Sequence, residues 1–253
     1  MVRQRYGSLY RAYRFSLAEV DAVAAIWNYI KDVSIERPVK SDKILEKLAC
    51  AAFNQTPVRL FSPWGPRYKN PSPRIQESDP EVNTLLEMKA VVDEFQSRGV
   101  KTNILIMPAD VYGTEINGLP ADFVYSYFSY LEDMARGKLG NVDIKSWSSI
   151  RRENWEMYEK VTLNPDESLE RELERVFDKE FEKAGVVARR FNPSNAMTSA
   201  KRYIVERLAE AMIIDSVYSP VKLSLVRKEK DSLDGPLPRV YLVKNRAPWM
   251  AGE

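Results

Sequence analysis

Two side chains suited to acid–base chemistry stand directly after an apolar run in the middle of the sequence. Asp110 and Tyr112 follow residues 101–107, a clear predicted strand that Pro108 bounds. The carboxylate can act as a general base or hold a substrate ammonium group, and the tyrosine can donate a proton or stack on a ring. The structural alternatives are a carboxylate that caps the next backbone amides and a tyrosine packed in the core.

Cationic side chains follow an earlier predicted strand, residues 57–62, whose last residue is Ser62. Arg67 and Lys69 lie in the proline-rich loop that comes next. Guanidinium and ammonium groups match the charge of phosphate and carboxylate, so the loop predicts an anion site, with ordinary surface charge as the alternative.

A third group of candidates lies near the end of the sequence. Lys222 and Ser224 alternate with apolar residues in the predicted strand 221–226, so they share one face. If that face meets a crevice, Lys222 can bind an anion or form a Schiff base with a sugar ketone; if it meets solvent, neither side chain has a role. Trp249 either covers the pocket or anchors the tail of the chain.

The residue types that are missing exclude several mechanisms. The 253 residues include no histidine and one cysteine. A Ser-His-Asp triad, a Cys-His pair, an HExxH zinc site and a thiolate zinc cluster are therefore excluded, and the ten glycines form neither a Walker A loop nor a GxGxxG turn. Acid–base work falls to Asp, Glu, Lys or Tyr. We predict no cofactor and no metal, although carboxylates alone leave a hard cation open.

The charge of the whole chain is balanced, with 38 basic and 36 acidic residues. This balance gives no general sign of nucleic-acid binding, and the predicted helix 166–184, with eight acids against four bases, would repel a phosphate backbone. Arginines interleaved with aromatic rings at residues 3–15 can bind single-stranded RNA or form a packed arm. No apolar stretch is long enough to span a bilayer, and with a single cysteine we expect a cytoplasmic protein without a membrane partner.

The predicted elements form an α/β protein. Strand 57–62, a loop, helix 81–97 and strand 101–107 make a βαβ unit, which implies a parallel sheet with ligands bound beyond its carboxyl ends. Other helices are predicted at 16–33, 41–53, 121–136, 166–184 and 199–215, and other strands at 142–147, 221–226 and 239–244. The expected fold is a Rossmann-like, mainly parallel sheet flanked by helices, with the last two strands forming a C-terminal hairpin.

All 253 residues are assigned to a single domain. Within it, residues 1–56 form an N-terminal helical part, residues 57–150 the βαβ core, and residues 151–253 the remaining helices and the hairpin.

Several motifs occur in the order seen in one known family. Residues 61–72 resemble its proline-rich loop, residues 78–83 stand where Pro-Asp-x-x-Glu opens a helix, and residues 106–113 and 118–125 resemble a strand ending in Ser-Asp-Gly followed by a tyrosine-bearing helix. Residues 221–226 and 247–250 resemble Ile-Arg-Leu-Ser-Ile-His and Thr-Pro-Trp-His. From about Val58 to Met250, the chain thus resembles the isocyanide synthases of the pyoverdine/dityrosine biosynthesis family.

The resemblance implies an enzyme that condenses the amine of an amino acid with the ketone of a phosphorylated ketose such as ribulose 5-phosphate. It places the family's two histidines on Val226 and Met250 and its helix-opening glutamate on Asn83. Catalysis would rest on Asp110, Tyr112 and Lys222. The implied substrate contacts are Ser62, Arg67, Lys69, Ser224 and Trp249.

Two other functions remain open at this stage. The cyclodipeptide synthases, which resemble Rossmann-like aminoacyl-tRNA synthetase domains, are a second kinship, and Ser62 could match their nucleophile. That alternative makes the chain a transferase acting on aminoacyl-tRNA, with tRNA as a weaker candidate partner than a small amino acid and a sugar phosphate. The third hypothesis is a non-catalytic small-molecule binder or assembly protein on the same fold, and a homo-oligomer is compatible with each.

Overall fold

The computed structural model describes residues 16–67, 72–225, 233 and 237–242. Its strands are β1 Val58–Trp64, β2 Thr102–Pro108, β3 Val142–Ile144, β4 Val221–Ser224 and β5 Arg239–Tyr241. Its α-helices are α1 Leu17–Val33, α2 Ser41–Asn54, α3 Pro80–Ser97, α4 Ala121–Leu139, α5 Trp147–Glu153, α6 Trp155–Thr162, α7 Glu167–Phe191 and α8 Ala196–Tyr218. A π-helical turn covers Tyr112–Ile116, and a 3-10 turn covers Pro193–Asn195.

The five strands form one parallel sheet in the order β3-β2-β1-β4-β5. The chain adds strands on one side of β1 and then returns to add β4 and β5 on the other side. The gap between β1 and β4 is therefore the switch point of the sheet, where α/β proteins bind ligands outside the carboxyl ends of the strands. The predicted α/β class and parallel sheet are confirmed.

The predicted C-terminal hairpin is wrong in strand direction. Strands β4 and β5 do pair, with Lys222 opposite Arg239, but they run parallel. A hairpin would need a short turn, whereas the connection from Leu225 to Pro238 has the dozen-residue length that a parallel crossover requires.

Helices cover both faces of the sheet. The back face, which carries Leu60, Ile104 and Val221, packs against α1, α2, α3 and α4 in one large apolar cluster. The front face, which carries Phe61, Leu105 and Met107, packs against α5, α6 and α8. Helix α7 packs along α8 through a separate apolar cluster. Strands buried on both faces explain why β1 and β2 are nearly continuous apolar runs.

Side-chain caps mark the starts of three of the described α-helices, at Ser16, Ser146 and Asp166. Ser16 and Glu19 form a capping box at the start of α1, because the Glu19 amide donates to Ser16 Oγ at 3.2 Å and the Ser16 amide donates to Glu19 Oε2 at 2.8 Å. The predicted strand 142–147 ends at Ile144 because Ser146 caps α5, accepting the Ser149 amide at 3.2 Å. No helix in the described part of the chain is both long and apolar enough to cross a membrane.

A segment near the beginning of the chain covers the outer edge of β5. The Ile35 amide donates to the Tyr241 carbonyl at 2.9 Å, and Val39 and Arg239 exchange backbone hydrogen bonds of 3.0 and 3.1 Å. The Tyr241 amide donates to Ser34 Oγ at 3.1 Å. Residues 34–39 therefore satisfy backbone groups that an exposed edge strand would leave unpaired.

Candidate functional site

Two clusters of buried polar side chains lie where β1 and β2 end. The first, called the Glu210 cluster, is on the front face and contains Tyr112, Trp147, Arg151, Tyr158, Glu206, Arg207 and Glu210. The second, called the Arg67 cluster, is on the back face and contains Trp64, Arg67, Asp79, Glu81 and Tyr127. Buried charged groups at the carboxyl edge of such a sheet indicate a functional site.

The centre of the Glu210 cluster is a hydrogen bond between a tyrosine and a carboxylate. The Tyr112 hydroxyl donates to Glu210 Oε2 at 2.8 Å, and both side chains are buried. Arg207, on the preceding turn of α8, pairs with the other oxygen of Glu210. Burial, and then the charge of Glu210, raise the pKa of Tyr112 well above its ordinary value. Tyr112 is therefore a neutral hydrogen-bond donor at physiological pH.

Glu206 lies one turn before Glu210 on α8 and is held by donors from two other helices. Trp147 Nε1 donates to its Oε2 at 2.8 Å, while Arg151 and the Tyr158 hydroxyl donate to its Oε1 at 3.0 and 2.7 Å. Burial, and then the hydrogen bond to Glu206, raise the pKa of Tyr158. Three donors on one buried carboxylate fix the position of α8 relative to α5 and α6.

Asp110 supports this arrangement from the end of β2. Its side chain is buried, and its Oδ1 accepts the backbone amide of Ser148, in the first turn of α5, at 3.0 Å. This contact matches the structural alternative for Asp110, a carboxylate that caps a backbone amide, except that the amide lies 38 residues further along the chain instead of in the next turn. Because α5 carries Trp147 and Arg151, Asp110 helps to orient the donors that hold Glu206. A catalytic role for Asp110 remains a prediction.

Arg67 is the cation of the second cluster. Its Nε donates to Glu81 Oε1 at 2.6 Å, one terminal nitrogen donates to Asp79 Oδ2 at 2.6 Å, and the other donates to the Arg74 carbonyl at 3.1 Å. Burial alone would lower the pKa of Arg67, but its hydrogen bonds to Glu81 and Asp79 raise it. The guanidinium is thus a permanent charge inside an internal ion-pair network.

Aromatic side chains enclose that network. The Arg67 guanidinium lies 5.6 Å from the centre of the Tyr127 ring. The Tyr127 hydroxyl donates to Glu81 Oε1 at 3.3 Å and accepts a hydrogen bond from Trp64 Nε1 at 3.0 Å. Burial, and then the charge of Glu81, raise the pKa of Tyr127 well above its usual value.

The sheet separates the remaining predicted residues. Ser62 is buried on the back face and donates to the Leu223 carbonyl at 3.3 Å. Lys222 and Ser224 are buried on the front face, the side that also holds Tyr112. Lys222 pairs with Phe61, three residues before β1 ends, so its Cα lies about 10 Å below the carboxyl edge at roughly 3.3 Å per residue.

The structure thus places Asp110, Tyr112, Lys222 and Ser224 on the front side and Ser62 and Arg67 on the back side. Lys69 and Trp249 lie outside the described residues, as do Val226 and Met250. No group of three or more potential metal ligands occurs among the described Asp, Glu and Cys side chains.

Sequence reasoning missed the acids to which these residues bind. Glu206 and Glu210 are spaced one turn apart within a helix whose neighbouring residues, such as Ile213 and Ile214, are buried and apolar. The position of both acids within the apolar stripe of the helix was the signal that could have indicated their burial. Glu81 follows Pro80 at the start of α3, where an exposed acid would be ordinary, so its burial had no sequence signal.

A cleft of about 530 Å³ opens at the opposite, amino-terminal end of the sheet. Its lining includes Arg59, Lys145 and Tyr218. Arg59 donates to the Tyr218 carbonyl at 3.3 Å, and Lys145 pairs with Glu153 at 2.6 Å. The cationic groups of the cleft are therefore engaged by the protein itself.

Comparison with known proteins supplies a fold relationship. No family model matches the sequence, and no curated protein matches it. Among solved structures, the PvcA protein from Pseudomonas aeruginosa superposes with a TM-score of 0.63, covering 88% of this chain and 87% of that chain at 15% sequence identity. The fold is similar to that of PvcA.

Two further solved structures are similar over much of the chain. Tyrosyl-tRNA synthetase from Leishmania major, in complex with tyrosinol, gives a TM-score of 0.51 at 10% identity, covering 88% of this chain and 31% of that chain. A CDPS from Fluoribacter dumoffii gives 0.42 at 11% identity, covering 73% and 89%. At these identities the PvcA and synthetase matches establish a shared Rossmann-like architecture and nothing about activity.

Proposed function

We propose that this chain is an isocyanide-synthase-like enzyme that joins the amine of an amino acid to the ketone carbon of a phosphorylated ketose such as ribulose 5-phosphate. The observation that carries the proposal is the buried Tyr112–Glu210 hydrogen bond of 2.8 Å at the carboxyl edge of the sheet. The similarity of the fold to that of PvcA, and the order of sequence motifs that resembles the pyoverdine/dityrosine biosynthesis isocyanide synthases, support the choice of reaction.

The Tyr112–Glu210 pair has the chemistry that such a condensation needs. An amine that adds to a ketone has to lose a proton from nitrogen while the carbonyl oxygen gains one. We assign the first transfer to a relay in which the Tyr112 oxygen takes the amine proton while its own proton passes to Glu210 Oε2, and the second to the same relay in reverse, which returns the proton from Glu210 through Tyr112 to the carbonyl oxygen. The tyrosine is neutral before and after this step, which agrees with its raised pKa.

Other residues are assigned to binding in this proposal. Lys222 supplies a buried cation on the face that holds Tyr112 and would hold the phosphate or carboxylate of a substrate, beside Ser224. Asp110 would act through α5 on the position of Glu206. The remaining predicted substrate contacts, which still need a test, are Ser62, Arg67, Lys69 and Trp249.

Product analysis tests the proposal directly. The purified protein is incubated with ribulose 5-phosphate and each proteinogenic amino acid in turn, and isocyanide formation is followed by mass spectrometry. We expect a product with at least one amino acid. Tyr112→Phe should lower its rate by about 100-fold or more, because a lost general acid–base group costs about that much. Tyr130→Phe, at an exposed position on α4, is the matched control and should retain full activity.

Two results would overturn the proposal. The first is the absence of product with every amino acid. The second is formation of a dipeptide product when aminoacyl-tRNA replaces the free amino acids and the sugar phosphate, which would establish the transferase alternative instead.

A further inference from the structure

One carboxylate oxygen in the Arg67 cluster has no hydrogen-bond donor. Glu81 is 1% exposed, and its Oε1 accepts from both Arg67 and Tyr127. Its Oε2 is buried and has no hydrogen-bond partner. An ionised carboxylate can only accept, and leaving a buried acceptor unsatisfied costs about 1–3 kcal/mol, more when it is charged. Such a group in a folded protein calls for a donor that enters from outside.

The charges of the cluster point to a positive donor. Arg67 is its cation, and Asp79 and Glu81 are its two carboxylates, with O–N distances of 2.6 Å to the guanidinium. The cluster therefore has an excess of one negative charge. Asp79 remains 23% exposed and partly hydrated, whereas the Glu81 side chain is 1% exposed. Arg67 is shared by both carboxylates and neutralises only one of their two charges, so the remaining negative charge favours a cationic ligand at the more buried carboxylate, Glu81.

The unpartnered oxygen belongs to the part of the fold where ligands bind. Trp64 is the last residue of β1, and Arg67 follows three residues later, at the switch point beside β4. The loop after β2 is adjacent, because a Cβ added to Gly113 would lie 2.9 Å from the ring of Pro66. The loops that follow β1 and β2 therefore meet at this junction, and Glu81 is bound to Arg67 in the first of them.

We propose that Glu81 Oε2 receives the primary ammonium group of a small ligand, namely the α-ammonium of an amino acid. An ammonium group is a compact cation with three donors, so it can satisfy a single oxygen that Arg67 leaves uncovered. This assignment deepens the proposed function and rests on it for the identity of the ligand, since an amino acid is the amine substrate of the proposed reaction.

Ligand binding provides the test, with each of the twenty common L-amino acids titrated separately and followed by calorimetry. We expect at least one to bind. Its N-acetylated form, which has lost the positive charge, should bind at least 10-fold more weakly to the unaltered protein. This comparison needs no variant and therefore holds even if a substitution at Glu81 prevents folding.

Two matched variants locate the effect. Glu81→Gln removes the charge but keeps an oxygen for Arg67, and it should weaken amino-acid binding at least 10-fold. Glu132→Gln removes the same charge from an exposed ion pair on α4, outside the Arg67 cluster, and it should change affinity by less than about twofold. Thermal melting verifies that both variants are folded.

Several outcomes would overturn the assignment. These are no binding by any amino acid, equal binding of the acetylated ligand, unchanged affinity in Glu81→Gln, or an equal loss in Glu132→Gln. If an ordered water occupies Oε2 instead of the ligand, affinity should be unchanged in Glu81→Gln. The experiments distinguish failure of the proposed reaction from failure of the Glu81 assignment. Selective amino-acid binding without product would refute the reaction alone. Product formation with an unchanged KM in Glu81→Gln would refute the Glu81 assignment alone.

Discussion

Removal of the Arg67 side chain should destabilise the protein far more than removal of an exposed arginine. Arg67→Met keeps much of the apolar volume but leaves Glu81 buried without its cation, and it also deprives Asp79 of a 2.6 Å ion pair. Breaking a buried ion pair from one side costs about 3–5 kcal/mol, because the remaining charge stays desolvated. That is a large part of the roughly 5–15 kcal/mol by which a typical domain is stable.

Urea unfolding followed by tryptophan fluorescence measures this cost. Arg136→Met is the matched control, since Arg136 pairs with Glu132 on the same helix at 2.7 Å with half of its side chain exposed. Such a pair contributes about 0.3–0.5 kcal/mol. The double variant Arg67→Met/Glu81→Leu should recover most of the loss, because a buried pair replaced on both sides by apolar groups is close to neutral.

The reasoning fails if Arg67→Met costs less than about 1 kcal/mol, which would mean that Glu81 is not an uncompensated charge in the variant. It also fails if the double variant is less stable than Arg67→Met, because the loss would then come from packing rather than from the buried carboxylate.

Three further predictions concern other contacts. Gly113→Ala should destabilise the protein by about 1–3 kcal/mol, because the added Cβ would lie 2.9 Å from the ring of Pro66. The control Gly137→Ala, which has open space around it in α4, should stabilise the protein by roughly 0.5–1 kcal/mol. Unchanged stability of Gly113→Ala would contradict the close approach. Glu206→Gln should lower the pKa of Tyr158 in a spectrophotometric titration, and an unchanged value would remove Glu206 as a cause. Burial raises the pKa of Asp79, but the hydrogen bonds from Arg67 and the Gln76 amide, together with the charge of Arg67, bring the folded pKa below its ordinary value. The contribution of Asp79 to stability is therefore complete above about pH 4 and disappears as pH falls through the folded pKa. Asp79→Asn should therefore reduce the fall in unfolding free energy between about pH 4 and pH 2, and an identical slope would refute it.

Much of the fold could be predicted because its signals are local. The apolar runs of β1 and β2, the helical spacing in α3 and the glycine at its end define a βαβ unit without knowledge of any distant contact. The direction of β5 could not be predicted, since it depends on the path of residues 225–238 in space rather than on the strand's own pattern. Helices α5 and α6 were not predicted from the sequence, because both are short and the residues just before Ser146 have the pattern of a strand.

The candidate site also has a part that could be predicted from local signals and a part that depends on distant contacts. Asp110 and Tyr112 could be selected because they follow a strand, and the end of a parallel strand has a known position relative to the crevice. Their partners could not be selected, because Tyr112 and Glu210 are 98 residues apart in sequence and only the packing of α8 on the front face joins them. The burial of Glu81 likewise depends on Arg67, whose location within the loop has no periodic signal.

The cover over β5 has a consequence for synthesis of the chain. Ser34 and Tyr241 are 207 residues apart, so residues 34–39 leave the ribosome long before the strand that they cover exists. At about 5–20 residues per second, the gap lasts on the order of 10 to 40 seconds. During that interval the nascent sheet lacks both its last strand and the protection of that edge. The pairing of residues 34–39 with β5 is therefore a late step of folding, because it cannot form until the other four strands have been synthesised.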